Sequence, residues 1–167
     1  GSFIPPRDIR ELRDLVRYKR KVVDQAASEK NRIIKILEDA NIKLSSVLTN
    51  VDGATGTKII NDLIAGNTDV DSLLKHYHGK MKASKEEVRK ALEGRLTKHH
   101  QFMLQIIQQS IRDKEALIDA LETQIDEAVK TYEVEVDLLQ TIPGVGRDSA
   151  MSIIRETGVD MERFPNE

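Results

Sequence analysis

The first residues of this chain include a row of arginines that could bind phosphate groups. Arginines repeat at intervals of three and four residues, which places side chains on one face of an α-helix: Arg10, Arg13, Arg17 and Arg20, with Arg7 before them. A row of guanidinium groups fits the phosphates of a nucleic acid. Acidic residues lie between them at Asp8, Glu11 and Asp14. A solvated helix face with ordinary ion pairs is therefore the alternative.

A second candidate phosphate site lies near the end of the sequence, where Pro143 ends one helical pattern and another begins a few residues later. The reversal between them is made by Gly144, Val145, Gly146 and Arg147. Glycines let backbone N–H groups approach a phosphate, and the following helix N-terminus adds a favourable dipole. The segment resembles the helix-hairpin-helix motif of DNA-binding proteins. A tight helix-to-helix turn that only packs is the alternative.

The sequence offers no assembled set of residues for catalysis or metal binding. It has no nucleophile beside a general base, no phosphate-binding loop and no pair of carboxylates in an apolar setting. His76 and His78 have no third ligand nearby, so we predict no metal site. His99 and His100 are adjacent and would point to different faces of a helix, as surface or seam residues. We therefore predict no catalytic residues and no cofactor in this chain.

The composition favours long helices over a compact globule. Charged residues make up 32% of the 167 residues and aromatic residues 4%, with no Trp and no Cys. The absence of Cys removes disulfides and thiolate chemistry and fits a cytosolic protein. No apolar run approaches the length of a membrane span, and no signal-peptide pattern opens the chain. The formal net charge is −2, so a nucleic-acid partner must be recognised by local basic clusters.

Two apolar seams would position these residues. The first predicts a helix near residues 6–48, with steps of three and four residues through Ile9, Leu12, Val16, Lys19, Val23, Ala26, Lys30, Ile33, Leu37, Ala40 and Leu44. A period of 3.5 residues sustained over about five heptads is typical of a coiled coil. Only the two lysines interrupt the seam.

The second seam predicts a helix near residues 97–141 and runs through Leu104, Ile107, Ile111, Lys114, Ile118, Leu121, Ile125, Ala128, Tyr132, Glu135 and Leu139. The two long helices could form an antiparallel coiled coil within one chain or pair with a second copy, since both arrangements bury the same seams. Polar seam residues could fix the register. Two separate stripes that pack on other domains are a further alternative.

A small helical insert is predicted between the seams, at about residues 52–95. Helices over residues 57–65 and 70–78 would end at Gly66 and Gly79, because glycine suits a helix C-cap. Ser84 opens a capping box for a third helix, which reaches about Glu93 before Gly94. The predicted fold class is all-α, with two long helices, this insert and a C-terminal helix-hairpin-helix. We divide the chain into a coiled-coil dimerisation region at 1–136 and a second region at 137–167.

Several stretches of the sequence resemble the DEDD transposases of bacterial insertion sequences, which are bridge-RNA-guided recombinases. They are residues 3–15, 18–21 and 37–46, and the hairpin together with residues 155–158 and 163–165. The resemblance covers essentially the whole chain and is less distinctive between residues 51 and 94. It implies the coiled-coil middle of such a protein, followed by the opening of its C-terminal transposase domain.

In that family an N-terminal RuvC-like domain supplies acidic metal ligands, and the C-terminal domain supplies a serine nucleophile. The resemblance implies that this sequence starts after the acidic residues and stops before the serine. No catalytic residue carries over, and a divalent metal is expected only in the missing nuclease domain. The opening Gly1-Ser2, without an initiator Met, looks like a protease-cleavage scar and agrees with a fragment. The expected partners are a second copy of the chain, DNA and a structured guide RNA, with no membrane, in the bacterial cytoplasm and at the nucleoid.

Two other classes of function stay open. A stand-alone module in which the helix-hairpin-helix grips DNA would bind plain duplex DNA in a salt-dependent way. A coiled-coil interaction protein would bind no nucleic acid at any salt concentration. An enzyme that acts on its own is disfavoured, because the sequence contains no complete active site.

Overall fold

The computed structural model describes residues 7–130, and this part of the chain contains helices and turns but no strand. The α-helices are α1 (Arg7–Asp39), α2 (Ala54–Ile64), α3 (Val70–Leu73), α4 (Lys85–Leu92) and α5 (Lys98–Lys130). Short 3₁₀ helices follow α1 and α3, at Leu44–Ser46 and Leu74–His76. The predicted all-α class is confirmed, with two long helices on either side of a small helical insert. No helix within residues 7–130 combines the length and the apolar composition needed to cross a bilayer.

The chain divides into two compact units, and the first comprises residues 1–25 and 114–167. In its described part, α1 packs on α5 through a cluster of Leu12, Ile125 and Val129, which are all at most 4% exposed. Half-buried side chains surround the cluster: Ile9, Leu15, Val16 and Ala128. The early part of α1 thus contacts the late part of α5. The two helices therefore run antiparallel in this unit.

The second unit comprises residues 26–113 and contains the larger core. Ile33 and Leu37 of α1 belong to the same buried cluster as Leu104 and Ile107 of α5. The segment between α1 and α5 adds Leu44, Val51, Ile59, Ile60, Leu63, Leu73, Leu74, Val88 and Leu92. Each buried side chain of this size contributes about 1.5–3 kcal/mol through removal from water. The late part of α1 and the early part of α5 are again antiparallel, so the seams pair within the chain in both units.

The first seam follows the prediction except at one turn of α1. Val22 is 1% exposed, whereas Val23, which was predicted for the seam, is 41% exposed. An α-helix has 3.6 residues per turn, so a stripe assigned by strict steps of three and four drifts relative to the interior. At this turn the drift brings Val22 inward. The prediction for Val23 is wrong.

α1 ends at Asp39 and does not extend to residue 48 as predicted. Asn41 has a left-handed backbone, with a φ of 58°, and its N–H donates to the carbonyl of Glu38. The N–H of Ile42 donates to the carbonyl of Leu37. These two bonds form a Schellman motif, whose left-handed position usually holds glycine. Asparagine also adopts that conformation, so the helix ends without the glycine that would have predicted it.

The insert confirms two of its three predicted caps. Gly66 has a φ of 92° and follows α2, and the Ser84 Oγ accepts a hydrogen bond from the N–H of Glu87 at the start of α4. Gly79 is not a cap, because the 3₁₀ helix ends before Tyr77, whose backbone is extended. The predicted helix over 70–78 is therefore shorter than the sequence suggested.

Backbone hydrogen bonds join the C-terminal end of the insert to the segment around the end of α1. The N–H of Lys43 donates to the carbonyl of Ala91 at 2.9 Å, and the N–H of Arg95 donates to the carbonyl of Ala40 at 2.8 Å. Gly94 lies beside this junction, and a Cβ at its position would overlap the Ala40 carbonyl oxygen. Glycine is required there because two backbone segments approach so closely.

Candidate nucleic-acid interface

The predicted arginine face lies on α1, in the first unit. Arg10, Arg17 and Arg20 are exposed, and Arg13 is half-buried. The four residues span roughly 15 Å of helix at 1.5 Å per residue. Arg7 is the first residue of α1, and its side chain lies outside the described part of the structure. One continuous helix therefore carries all five predicted arginines, and four of them have described side chains that reach solvent.

Ion pairs occupy little of this face. Arg17 lies 3.0 Å from Asp14, and both side chains are mostly exposed, so this pair adds little stability. Within residues 9–130, no carboxylate lies within ion-pair distance of Arg10, Arg13 or Arg20. Arg17 is thus neutralised by an acidic residue of the same helix, as the alternative interpretation expected. The other three guanidinium groups are available to an anionic partner.

A shallow groove of about 660 Å³ lies beside this surface, within the first unit. Tyr18 lines it and is 54% exposed, with Arg17, Lys21 and Leu121 as neighbours along the groove. A tyrosine ring can stack on a nucleobase while flanking cations contact phosphates. Glu11 and Asp14 also line the groove, so its two acidic residues balance Arg17 and Lys21. The groove therefore adds one aromatic side chain beside the arginine face and no net positive charge.

The two lysines that interrupt the first seam are both neutralised. Lys19 lies 3.0 Å from Glu122 in the first unit, and Lys30 lies 2.8 Å from Asp52 in the second. Each lysine side chain is 33% exposed, so its ammonium group can reach the edge of the seam. Neither lysine therefore belongs to the candidate phosphate-binding surface.

The two histidines of the insert contact different partners. His76 Nε2 lies 2.7 Å from Asp62 Oδ2, and His78 Nε2 lies 3.1 Å from Thr55 Oγ1. The hydrogen bond with His76, assisted by Lys75, holds the pKa of Asp62 below its ordinary value of 3.8. Among residues 9–130, no three His, Cys, Asp or Glu side chains are grouped so that they could hold a metal ion. These contacts connect the segment after α3 to α2.

His100 caps α5, a role that was not predicted from the sequence. Its side chain is buried, and its Nδ1 accepts a hydrogen bond from the N–H of Thr97 at 3.0 Å. The N–H of His100 donates in return to Thr97 Oγ1 at 3.2 Å. Nε2 lies 2.7 Å from Asp39 Oδ2. Thr97 and His100 have the three-residue spacing of a capping box, and that spacing is the signal in the sequence that could have identified the pair.

The second predicted phosphate site lies outside the described residues. It comprises Gly144, Val145, Gly146 and Arg147. The whole predicted region 137–167 and the last three positions of the second seam lie there too. The hairpin and its interaction with phosphate stay predictions.

The described residues thus bring together a row of exposed arginines, a neighbouring tyrosine and a helix pair that fixes their spacing. They can bind phosphate groups through charge, in a way that does not depend on base sequence. Comparisons with protein-family models, with curated proteins and with solved structures find no match to this chain.

Proposed function

We propose that this chain is a scaffold segment of a DNA transposase of a bacterial insertion sequence, and that it serves dimerisation and the positioning of nucleic acid. The sequence stretches that resemble the DEDD transposases support the assignment. Catalysis would belong to other domains of the parent protein, where acidic residues would hold a divalent metal. The expected setting is the bacterial cytoplasm, with DNA and a structured guide RNA as partners.

The observation that carries the proposal is the exposed arginine face of α1. Arg10, Arg13 and Arg20 have no carboxylate within ion-pair distance among residues 9–130. Long side chains that serve only as a solvated helix face are commonly balanced by acids at three or four residues' distance. Asp14 and Asp24 lie four residues after Arg10 and Arg20 but beyond ion-pair distance, and Arg13 has no acidic residue at either spacing. Phosphate groups would satisfy these guanidinium groups with bidentate geometry.

The packing of α1 supports the role of a positioning surface. Leu12 lies in the middle of the arginine series and is 1% exposed, held against Ile125 and Val129 of α5. The arginines are therefore attached to a helix whose opposite side is fixed. Such a surface can orient a nucleic acid without contacting the reacting atoms.

The test is a binding measurement with a variant in which Arg10, Arg13, Arg17 and Arg20 are all replaced by Gln. Fluorescence anisotropy with duplex DNA would be recorded over a series of salt concentrations. The slope of log K against log salt should fall by about 0.9 for each phosphate that the variant no longer neutralises. The matched control replaces four exposed lysines of the second unit by Gln: Lys35, Lys43, Lys58 and Lys98. Equal slopes for the two variants would refute the arginine face.

Self-association is the second part of the proposal, and the fold restricts how it could occur. The described seam residues are used within the chain, so a dimer must employ another surface. Phe102 and Ile106 are 59% and 50% exposed and lie four residues apart on α5, hence on one face. Multi-angle light scattering of the unsubstituted chain and of a variant with Glu at both positions tests this surface. A monomer for the unsubstituted chain across the micromolar range would count against dimerisation.

A further inference from the structure

We propose that the segment of residues 75–85 is a second phosphate-binding surface, which contacts the backbone of duplex DNA through Lys80, Lys82 and Lys85. This basic segment belongs to the insert of the second unit. It is separate in sequence from the arginines of α1. The inference rests on the proposed function in one respect, namely that the chain handles DNA.

The basic segment carries a local excess of positive charge. It contains four lysines and two histidines and no acidic residue, although the whole chain has a net charge of −2. Lys75, His78, Lys80, Lys82 and Lys85 are all exposed. Two other basic stretches without acidic residues are 15–23, in the arginine-bearing part of α1, and 94–112. A local excess of cations of this kind is the usual mark of a surface for a polyanion.

The basic segment is held in place by inward-facing residues between the lysines. Tyr77 and Met81 are half-buried and pack against the core of the second unit, and Ala83 is 8% exposed. Ser84 caps α4 through the N–H of Glu87 at 3.1 Å. Exposed lysines thus alternate with anchored residues. A surface whose backbone is already ordered loses less conformational entropy when it binds.

Glu86 and Glu87 directly follow Lys85, and Glu86 lies 3.8 Å from Arg89. Two other acidic residues near the segment also have partners. Asp62 contacts His76 at 2.7 Å and Lys75 at 3.4 Å. Asp71 pairs with Arg89 at 2.7 Å, an interaction that raises the pKa of this guanidinium. Within residues 9–130, no carboxylate lies within ion-pair distance of the three lysines Lys80, Lys82 and Lys85. Their positive charges are therefore open to a partner.

The chemistry of the basic segment favours the backbone of a duplex over single-stranded bases. Proteins that bind single strands offer exposed aromatic rings on which bases stack. The one Phe, Tyr or Trp residue of the segment, Tyr77, is half-buried against the core. Lysine acts as a point charge that suits phosphate oxygens. Binding at this surface should therefore be independent of base sequence and strongly dependent on salt.

The experiment compares the full chain with three variants on duplex DNA of arbitrary sequence, by fluorescence anisotropy at several salt concentrations. The test variant is K80Q/K82Q/K85Q, and its matched control, with the same change of charge, is K35Q/K58Q/K98Q. The third variant, K80R/K82R/K85R, preserves the charge. Thermal melts followed by circular dichroism check that all of them fold, which exposed substitutions of this kind should allow.

We expect the slope of log K against log salt to fall by up to about 0.9 per lysine in the test variant, by clearly less in the control, and not at all in the arginine variant. An equal reduction of the slope in the test variant and the control overturns the inference. A reduction of binding confined to single-stranded DNA overturns it as well.

The four-arginine variant of α1, measured in parallel, separates this inference from the proposed function. If that variant loses affinity and the three-lysine variant matches its control, the basic segment alone is refuted. If the lysines matter and the arginines do not, the arginine face is refuted and the basic segment stands. Absence of DNA binding by the unsubstituted chain at low salt refutes both.

Discussion

The carboxylate of Asp39, the last residue of α1, lies 2.7 Å from Nε2 of His100 near the start of α5. The other ring nitrogen, Nδ1, accepts the backbone N–H of Thr97, so it carries no proton. The proton of the neutral ring is therefore on Nε2, which donates to Asp39. One imidazole thus caps α5 and connects it to the end of α1.

His100→Ala should lower the free energy of unfolding by about 2 kcal/mol, because it removes a helix cap and leaves the Thr97 N–H without its acceptor. His99→Ala is the matched control, since His99 is exposed and adjacent. It should change stability by less than about 0.5 kcal/mol. Urea unfolding followed by circular dichroism measures both. Similar values for the two variants would show that the cap contributes nothing.

Gly94→Ala should destabilise the second unit by roughly 2 kcal/mol, because the new Cβ would overlap the Ala40 carbonyl and force the backbone apart. Gly79→Ala is its control, since a Cβ there meets nothing within 4 Å. Differential scanning calorimetry should show a lower Tm for the first variant only. An unchanged Tm for Gly94→Ala would contradict the close backbone approach described at this junction.

Asp62→Asn should cost about 1 kcal/mol of unfolding free energy at neutral pH, because the amide loses the charge that pairs with His76 and Lys75. The folded-state pKa of Asp62 is lowered, so its stabilising effect is present above the ordinary pKa of 3.8 and is lost as the pH falls through the lowered value. Stability curves of the two proteins should therefore converge in acid. Asp69→Asn, at an exposed carboxylate nearby, is the control and should change the stability at neutral pH by less than about 0.5 kcal/mol.

Ile125→Asp should disrupt the packing of α1 on α5 in the first unit. The substitution places a charge against Leu12 and Val129 in a site only 4% exposed. The expected loss of stability is about 3–5 kcal/mol. Leu117→Asp, on the same helix but 50% exposed, should leave helicity intact. Far-ultraviolet circular dichroism distinguishes the two. Retained helicity in Ile125→Asp would mean that this cluster does not hold α1 on α5.

Patterns of local sequence predicted much of the fold. The seams predicted two long helices because apolar side chains recur with the helical period, and Ser84 and Gly66 predicted caps because their chemistry is local. The end of α1 escaped prediction, since Asn41 adopts a backbone conformation usually signalled by glycine. Val23 was assigned to the seam because a fixed alternation of steps ignores helical drift.

Several contacts at the candidate sites join residues that are far apart in the sequence, so no single segment predicts them. His100 and Asp39 are 61 residues apart, so their hydrogen bond could not be predicted from either neighbourhood. The partners of Lys19 and Lys30 are likewise distant in sequence. The arginine face was predicted because its residues share one helix. The lysines of the basic segment were overlooked, because without burial and ion pairs they resembled an ordinary charged surface.

The hydrogen bond between Arg95 and Ala40 has a consequence for how this architecture can vary. The chain leaves the helix pair and rejoins it at neighbouring points, so residues 41–94 form a closed excursion. A change of length inside such an excursion does not alter the offset between α1 and α5, provided that the junction is kept. Gly79, exposed and remote from other atoms, is the natural position at which to graft a foreign peptide or a reporter. Within the second unit, the paired parts of α1 and α5 would then serve as a constant frame for exchangeable inserts.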